Sequence, residues 1–238
     1  MEKYITPSNL RDFAYCNDRI CSRPIRGIVL NFFGLGGQDI YRQETDYGKF
    51  FASHGVLLVV PYNNPWAWMN RQAVSMTDEI MDTVMEMLDF PENLPIVSSG
   101  GSMGGLSAIT YCVYAKRTPV ACVANCPVCD LPRHLHERKD LPRTLYSAFW
   151  NYEGTLEKAL ETVSPMHLGS RLPDIDYYLF HCQEDEAVNI HLNTEAFAAK
   201  MSGFRRVHVY RVPDRRHCDL SPEMWDRYKA HILEAISR

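Results

Sequence analysis

Long apolar runs and concentrated charge are both missing from this 238-residue sequence. No uninterrupted apolar stretch approaches the roughly 20 residues that cross a bilayer. The first residues, MEKYITPSNLRDF, contain no apolar core of a signal peptide. The formal net charge is only −4 and like charges form no blocks, whereas a nucleic-acid-binding protein usually needs a basic face. These absences predict a cytoplasmic protein that has neither a membrane nor a nucleic acid as a partner.

The cysteines and histidines lack the spacing of a metal or disulfide framework. Eight cysteines are scattered along the chain, several within apolar runs such as TYCVY and ACVANC, where a thiol behaves as a small hydrophobe. This usage favours free thiols in a reducing compartment. CPVC at 126–129 has no second CxxC partner, and HLHE at 134–137 is more readily interpreted as a solvated segment. We therefore predict no metal site.

Short apolar runs alternate with segments of helical periodicity. The predicted strands are 26–34, 55–63, 94–99, 119–128, 175–182 and 205–212, and the predicted helices are 45–55, 75–90, 103 to about 116, 189–201 and 221–237. Such alternation is typical of βαβ units, in which a mostly parallel sheet is buried on both faces by helices. The predicted fold class is therefore α/β.

One segment interrupts this alternation. Residues 130–164 are polar, contain Pro132 and Pro142, and carry a group of aromatic residues. We interpret the segment as a small insertion or cap between two strands. Residues 1–238 then form a single domain, a size at which one core is normal.

The glycine-rich stretch VSSGGSMGGLSAITYC, residues 97–112, lies between a predicted strand and a predicted helix. Phosphate binding is disfavoured because no lysine follows the glycines and the G-x-G-x-x-G pattern does not fit. Gly100 to Gly104 matches G-x-S-x-G, the nucleophile elbow that exposes a serine, here Ser102, on a sharp turn. An ordinary tight glycine turn is the alternative.

A serine nucleophile requires a base and an acid that orients it. In a fold of this type, the acid and then the histidine follow the serine along the chain. The loop QEDEAV offers Glu184, Asp185 and Glu186 after one strand, and PDRRHCDL offers His217 after the last strand. Both loops belong to the carboxyl edge of a parallel sheet, so we expect them to meet Ser102.

Two other histidines compete with His217 for the role of base. His181 ends one predicted strand and His208 lies inside another. Both positions predict packed core histidines, whereas His217 lies in a loop.

Acyl transfer also needs two donors to the developing oxyanion. The backbone amide of Met103 lies at a helix N-terminus directly after Ser102. The loop FFGLGGQD at 32–39 follows the first predicted strand, and its glycines would let the backbone approach a substrate. We predict the amides of Met103 and Leu35 as the two donors.

These residues together resemble the α/β-hydrolase superfamily, and more narrowly its prolyl oligopeptidase and dienelactone hydrolase-like branches. The resemblance spans nearly the whole chain from about residue 25. It rests on FGLGG at 33–37, GGSMGG at 100–105, SPMHLGSRLPDIDYYLFHCQEDEAVN at 164–189 and PDRRHCD at 213–219. Two positions depart from the family pattern, because Phe33 stands where a histidine is usual and Cys182 where a glycine is usual.

The resemblance implies a serine hydrolase that needs no cofactor. It places the acid at Asp185 rather than at either neighbouring glutamate. Ser102 would attack the carbonyl of a small-molecule ester, His217 would transfer the proton, and Asp185 would hold the imidazole.

Aromatic residues suggest a substrate class. Trp66 and Trp68 lie in the loop 61–71, and Trp150 and Tyr152 lie in the predicted cap. They could bind an aryl, acyl or sugar group, or they could simply pin the loop and cap to the core.

The favoured function is a carboxylester hydrolase acting on small acyl esters such as acylated sugars. The alternatives are a small serine peptidase or amidase and a catalytically silent binding protein, and the sequence leaves homo-oligomerisation open.

Overall fold

The computed structural model describes residues 3–37, 41 and 43–238. The described residues form a seven-stranded sheet with the strand order β1-β3-β2-β4-β5-β6-β7. Its strands are β1 Ala14–Cys16, β2 Gly27–Phe32, β3 Val56–Pro61, β4 Ile96–Gly101, β5 Ala121–Asn125, β6 Asp176–Cys182 and β7 Arg206–Val212. All neighbouring pairs are parallel except β1 and β3. The predicted mostly parallel sheet is therefore confirmed.

The central strands are apolar because both faces of the sheet are covered. Every residue of β3, with the sequence VLLVVP, is buried, as expected of a parallel strand between two helical layers. The sequence did not predict β1, whose three residues pair antiparallel with β3 at the sheet edge. Three residues are too few to display a strand periodicity.

Helices cover the sheet on both faces. The helices are α1 Leu10–Phe13, α2 Asp46–Ser53, α3 Arg71–Met87, α4 Met103–Tyr114, α5 Leu131–Glu137, α6 Leu141–Ala148, α7 Leu156–Glu161, α8 Pro165–Leu168, α9 Ala196–Met201 and α10 Pro222–Ile236. Phe51 of α2 and Ile232 of α10 belong to the apolar cluster on one face. Ile80 of α3 and Leu106 of α4 belong to the cluster on the other face. This arrangement confirms the predicted helical layers.

Capping residues determine where two of these helices begin. The side chain of Asn70 accepts a hydrogen bond from the amide of Ala73, so α3 begins four residues before the predicted start at 75. The side chain of Ser221 accepts one from the amide of Met224, and Pro222 is the first residue of α10. Helix α10 therefore begins where the sequence predicts.

The segment 130–164 lies between β5 and β6 and is largely helical. Pro132 and Pro142 lie in the first turns of α5 and α6, where proline is tolerated because no helical hydrogen bond is lost. Leu131, Leu141 and Leu145 are fully buried in the same apolar cluster as the central strands. The insertion thus packs on the core of the sheet, and its description as a cap of a single domain stays a prediction.

The last part of the chain corrects one prediction. His208 lies on β7, the edge strand, with 43 % of its side chain exposed. Its Nε2 is 3.0 Å from Asp176 Oδ1, and its ring stacks on Tyr178. The interpretation of His208 as a core histidine is therefore wrong, because an edge strand is not covered like a central one.

The predicted helix at 189–201 consists of a π-helical turn, His191–Glu195, followed by α9.

Two further predictions concern thiols and membranes. All eight cysteines are free thiols, as predicted. Among the described residues, no helix combines the length and apolar character that crossing a bilayer requires.

Candidate active site

Ser102 occupies the sharp turn between β4 and α4. Its φ of 57° and ψ of −123° lie outside the regions that residues with a side chain normally adopt. The amide of Ser102 donates to Asn125 O over 2.9 Å, and its carbonyl accepts from the amide of Leu106 over 3.1 Å. Strand and helix therefore hold the serine in a strained conformation, which is the geometry of a nucleophile elbow.

The glycines beside Ser102 are required by close backbone packing. A Cβ atom on Gly100 would overlap the carbonyl oxygen of Gly104, and one on Gly104 would overlap that of Phe32. A Cβ atom on Gly105 would lie 2.9 Å from Pro127 Cα. The elbow thus forms only because three backbone segments approach each other where no side chain fits.

Asp185 and His217 come together at the carboxyl edge of the sheet. His217 Nδ1 lies 2.7 Å from Asp185 Oδ2. The other oxygen of Asp185 accepts hydrogen bonds from the amides of Ala187 and Val188 over 2.9 and 2.8 Å. The Asp185 side chain has no exposed surface. A buried, fully bonded carboxylate at this point can orient the imidazole of His217.

The two glutamates that flank Asp185 take no part in this arrangement. Glu184 and Glu186 are both exposed, whereas Asp185 is buried. In this turn the side chain of Asp185 points inward, and its two neighbours point to solvent. Of the three acids, only Asp185 is brought to His217.

The pairing changes the pKa values of both partners. Burial raises the pKa of Asp185, but the hydrogen bonds from His181 and His217 outweigh burial and hold that pKa well below its usual range. Burial lowers the pKa of His217, but the hydrogen bond to Asp185 together with the neighbouring Cys126 outweighs burial and raises the pKa to about 9. The carboxylate is therefore charged at neutral pH and stabilises an imidazolium on His217.

A second histidine contacts the same carboxylate. His181 Nε2 is 3.4 Å from Asp185 Oδ2 and 2.8 Å from Val188 O, and its Nδ1 is 2.6 Å from Thr194 Oγ1. His181 is fully buried, which confirms the prediction of a core position. Sequence reasoning nevertheless missed its contact with the acid. The signal was available, since His181 precedes Asp185 by four residues across a strand end.

Asn125 forms hydrogen bonds both with Ser102 and with the residue that follows His217. Its carbonyl accepts from the Ser102 amide, and its Nδ2 donates to the carbonyl of Cys218 over 3.2 Å. Cys218 directly follows His217, and its Sγ lies 3.7 Å from His217 Nε2. Sequence reasoning also missed Asn125, although an asparagine that ends a buried strand at the carboxyl edge is a recognisable signal.

The predicted oxyanion loop packs against the elbow. A Cβ atom on Gly34 would lie 3.8 Å from Ser102 Cβ. The amide of Gly37 donates to Gly34 O over 3.0 Å, and Gly36 has a φ of 74°, as in a type II turn. Gly36 also donates to Pro65 O over 2.9 Å, which ties the turn to the loop 61–71. Positions 38 and 39 of the predicted loop lie outside the described residues.

Leu35 and Met103 occupy suitable backbone positions for oxyanion donors. Leu35 is the second residue of the turn at Gly34, and Met103 is the first residue of α4. The first amides of a helix have no partner within the helix, so the Met103 amide can donate to a ligand.

The four aromatic residues predicted to bind substrate differ in their surroundings. Trp68 is 1 % exposed, and its Nε1 donates to Thr144 Oγ1 of α6 over 3.1 Å. Trp68 thus connects the loop 61–71 to α6. Trp66 and Tyr152 are each 39 % exposed and Trp150 is 81 % exposed. No hydrogen bond or ring contact among the described residues joins any of the four to Ser102 or His217.

The structure shows the surroundings of HLHE and CPVC, the two motifs that resemble metal-ligand sequences. His134 of HLHE is buried, and its burial lowers its pKa to about 4. The interpretation of this motif as solvated is therefore wrong for His134, because α5 turns that residue toward Trp68. In the described residues, the ligand atoms of Cys126 group with those of His217 and Cys218, and not with Cys129 of CPVC.

A cavity of about 500 Å³ adjoins the elbow on the face that α2 and α10 cover. Its lining includes Gly101, Asn125, Cys218, Phe50 and Trp225. The buried Asn125 Oδ1 has no hydrogen-bond partner among the described residues.

Structural comparisons relate the chain to known hydrolases. An S-formylglutathione hydrolase from Agrobacterium tumefaciens superposes with a TM-score of 0.69 at 14 % identity, covering 89 % of this chain and 84 % of that one. An esterase from Thermogutta terrifontis superposes with a TM-score of 0.63 at 18 % identity, covering 93 % and 85 %. A puromycin hydrolase superposes with a TM-score of 0.67 at 14 % identity over 91 % of this chain.

The chain spans only 34 % of the puromycin hydrolase. No protein-family model matches the sequence. No curated protein matches it either. At these identities the superpositions speak for the fold, and they confirm the prediction: the chain has the α/β-hydrolase fold.

Proposed function

We propose that this protein is a serine carboxylester hydrolase that acts on small acyl esters through Ser102, His217 and Asp185. The observation that carries the proposal is the pairing of a strained Ser102 on the elbow with a buried Asp185–His217 hydrogen bond at the same sheet edge. An ordinary glycine turn requires neither a strained serine nor a buried carboxylate that is hydrogen-bonded to a partly exposed histidine.

Acylation begins with attack of Ser102 Oγ on the substrate carbonyl. His217 accepts the hydroxyl proton at Nε2, since Asp185 engages Nδ1. The tetrahedral intermediate then collapses, the bond to the alkoxide breaks, and His217 returns the proton to the leaving alcohol. The acyl group remains on Ser102 as an ester.

Deacylation repeats these steps with water. His217 takes a proton from the water that attacks the acyl-enzyme, and the new tetrahedral intermediate expels Ser102 Oγ. His217 then returns that proton to the serine, and the carboxylic acid leaves. No cofactor enters either half of the reaction.

The oxyanion is the point of greatest charge development in both halves. The amides of Met103 and Leu35 are proposed to donate to it. The free position of Met103 at the start of α4 and the contact of the Gly34 turn with Ser102 support this assignment. One such donor is typically worth about 3 kcal/mol of transition-state stabilisation.

The proposed substrates are modest esters, including acylated sugars. The exposed rings of Trp66, Trp150 and Tyr152 support this class, because aromatic faces stack on sugar rings and acyl chains. Trp68 does not support it, since its ring is buried and its Nε1 is bonded to Thr144. Free thiols at all cysteine positions support the proposed cytoplasmic location.

A fluorophosphonate probe tests the nucleophile directly. We expect it to label the folded protein at Ser102 and to label Ser102→Ala not at all. Ser107→Ala is the matched control, because that serine lies on α4 and its Oγ bonds to Met103 O. Absence of labelling in folded wild type, or labelling that survives Ser102→Ala, would leave the catalytically silent alternative.

Matched substrates test the ester assignment. A panel of acyl p-nitrophenyl esters and acetylated sugars should be hydrolysed, with a preference over the corresponding anilides. If the anilides react as fast as the esters, the amidase alternative replaces the esterase.

A further inference from the structure

Two cysteines and a histidine converge beside the elbow. The ligand atoms of Cys126, His217 and Cys218 all lie within 4.8 Å of one another. The three residues come from two segments of the chain, the end of β5 and the loop after β7. Sulfur and imidazole nitrogen are the ligands that zinc prefers in proteins.

The distance between the sulfur of Cys218 and the Nε2 atom of His217 fits a tetrahedral metal ion. Cys218 Sγ lies 3.7 Å from His217 Nε2. An ion about 2.3 Å from a sulfur and 2.0 Å from a nitrogen holds those two atoms roughly 3.5 Å apart in tetrahedral coordination. These two ligand atoms are therefore already spaced for one ion.

The surroundings of the three ligands also suit a metal. Asp185 accepts the hydrogen bond from His217 Nδ1, so Nε2 is left for the ion in the carboxylate–histidine–zinc arrangement. The amides of Cys182 and Cys218 each lie 3.4 Å from Cys126 Sγ.

Two of the three ligand residues are partly exposed to solvent. Cys126 is fully buried, whereas Cys218 is half-buried and the His217 side chain is 29 % exposed. An entering ion would meet Cys218 and His217 first. Three protein ligands would leave the fourth position to a water molecule.

A neighbouring group of potential ligands does not compete. Cys126, His181 and Asp185 are also within 4.8 Å of one another. His181 already contacts Val188 O through Nε2 and Thr194 Oγ1 through Nδ1. Both of its nitrogens are therefore engaged, while His217 keeps one nitrogen for a ligand.

We propose that Cys126, His217 and Cys218 form a binding site for a thiophilic divalent cation of the zinc type. Binding releases the two thiol protons and, where His217 is an imidazolium, its Nε2 proton to solvent, and it forms two metal–sulfur bonds and one bond to His217 Nε2. The ion occupies the nitrogen that the proposed mechanism uses as base, so binding inhibits hydrolysis. Only this inhibitory consequence rests on the proposed function.

Cobalt(II) titration tests binding without reference to activity. The full chain, kept reduced with a phosphine, should bind one equivalent of Co²⁺ with the near-ultraviolet absorption of cobalt–thiolate bonds. Zn²⁺ should displace the cobalt and remove that absorption. Ser102→Ala should titrate like wild type, so an absence of esterase activity would not affect this measurement.

Cysteine variants assign the ligands. Cys218→Ser should weaken Co²⁺ binding at least about 100-fold, and Cys126→Ser should do the same if it folds. Cys21→Ser is the matched control, because Cys21 is half-buried and outside the cluster, and it should bind like wild type. No thiolate absorption in wild type, or binding that Cys218→Ser leaves unchanged, overturns the site.

The inhibitory part has its own measurement. Zn²⁺ should suppress ester hydrolysis in wild type with the same midpoint as the binding titration. In Cys218→Ser, the residual rate relative to its own zinc-free value should fall only at concentrations at least about 100-fold higher. Full activity of wild type at saturating zinc would overturn the inhibition while leaving the binding site in place.

Discussion

His181 Nε2 lies 3.4 Å from Asp185 Oδ2, so the carboxylate that contacts His217 also contacts a second, fully buried histidine. The nearest acceptor of His181 Nε2 is Val188 O at 2.8 Å, which indicates that this nitrogen carries the proton. His181 therefore fixes the chain around Asp185 and adds a dipole directed at its charge. We infer that His181 is a positioning residue for the acid.

Substitution of His181 should affect catalysis without abolishing it. We expect His181→Phe to lower kcat/KM about tenfold, by analogy with outer-shell partners of functional groups. It should also raise the pH midpoint assigned to His217, because Asp185 stays ionised and, with one donor fewer, accepts more strongly from the imidazolium of His217. His181→Gln, which retains an N–H, should restore part of the rate. A purely structural role would lower thermal stability while leaving the pH midpoint in place.

Removal of the charge on Asp185 should be far more damaging. Asp185→Asn keeps the shape of the side chain but favours the wrong tautomer of His217, for which losses near 10⁴-fold in kcat are known in serine hydrolases. Steady-state kinetics on a p-nitrophenyl ester measures the loss. Glu184→Gln and Glu186→Gln are matched controls, since both side chains are exposed, and each should stay near the wild-type rate.

The pH dependence follows from the raised pKa of His217. A base must be neutral to accept a proton, and the hydrogen bond to Asp185 together with the neighbouring Cys126 outweighs burial and raises the pKa of His217 from 6.5 to about 9. We therefore expect kcat/KM to rise with pH through a midpoint well above 6.5 and to level off above about 9. A rate that is already constant between pH 6 and 8 would contradict the raised pKa.

The same shift has a consequence for stability. Because the folded-state pKa of His217 lies above the unfolded value, its contribution to the free energy of unfolding is fully present below about pH 6.5 and is lost as pH rises through 9. Urea unfolding of wild type and His217→Ala as a function of pH measures this. The difference between the two should shrink at alkaline pH.

Gly104 should tolerate no side chain. A Cβ atom there would overlap the carbonyl oxygen of Phe32, and the overlap is with backbone that cannot move aside. We expect Gly104→Ala to lower the free energy of unfolding by about 3 kcal/mol. Gly203→Ala is the control, because Gly203 has a φ of 89° but no atom within 4 Å of the added group. It should cost about 1 kcal/mol from backbone conformation alone. Equal losses in the two variants would refute the packing argument.

The exposed and buried tryptophans should separate substrate binding from loop packing. Trp150→Ala should leave the free energy of unfolding within about 0.5 kcal/mol of wild type, because 81 % of the residue is exposed, and should raise KM for acylated sugars. Trp68→Phe should cost about 1 kcal/mol through the lost bond to Thr144. An unchanged KM in Trp150→Ala across the substrate panel would remove that residue from the proposed binding surface.

Local patterns in the sequence determined the main elements of the fold and the elbow. The alternation of buried strands with helices follows from the period of apolar residues, so β2 to β7 and the helices α2, α4 and α10 were predictable. Ser102 was predictable because G-x-S-x-G states a steric requirement within five residues. Helices α5 and α6 were not recognised, because Pro132 and Pro142 in their first turns were interpreted as interruptions.

Only the tertiary structure decided which distant side chains meet. From the residues alone, Glu184, Asp185 and Glu186 were equivalent, and the family resemblance was needed to prefer Asp185. The turn buries only Asp185 against His217 and His181. His208 was interpreted as a core residue because the sequence does not show that β7 is the sheet edge.

The thiol cluster illustrates the same limit. In the sequence Cys126 pairs by spacing with Cys129, whereas in the fold its sulfur lies beside Cys218 and His217. A sequence records spacing along the chain, and chemistry depends on separation in space. The serine and its glycines were therefore determined by the sequence itself. The meeting of Asp185 with His217 and His181, and the grouping of Cys126 with Cys218, were decided by how β5, β6 and β7 end side by side.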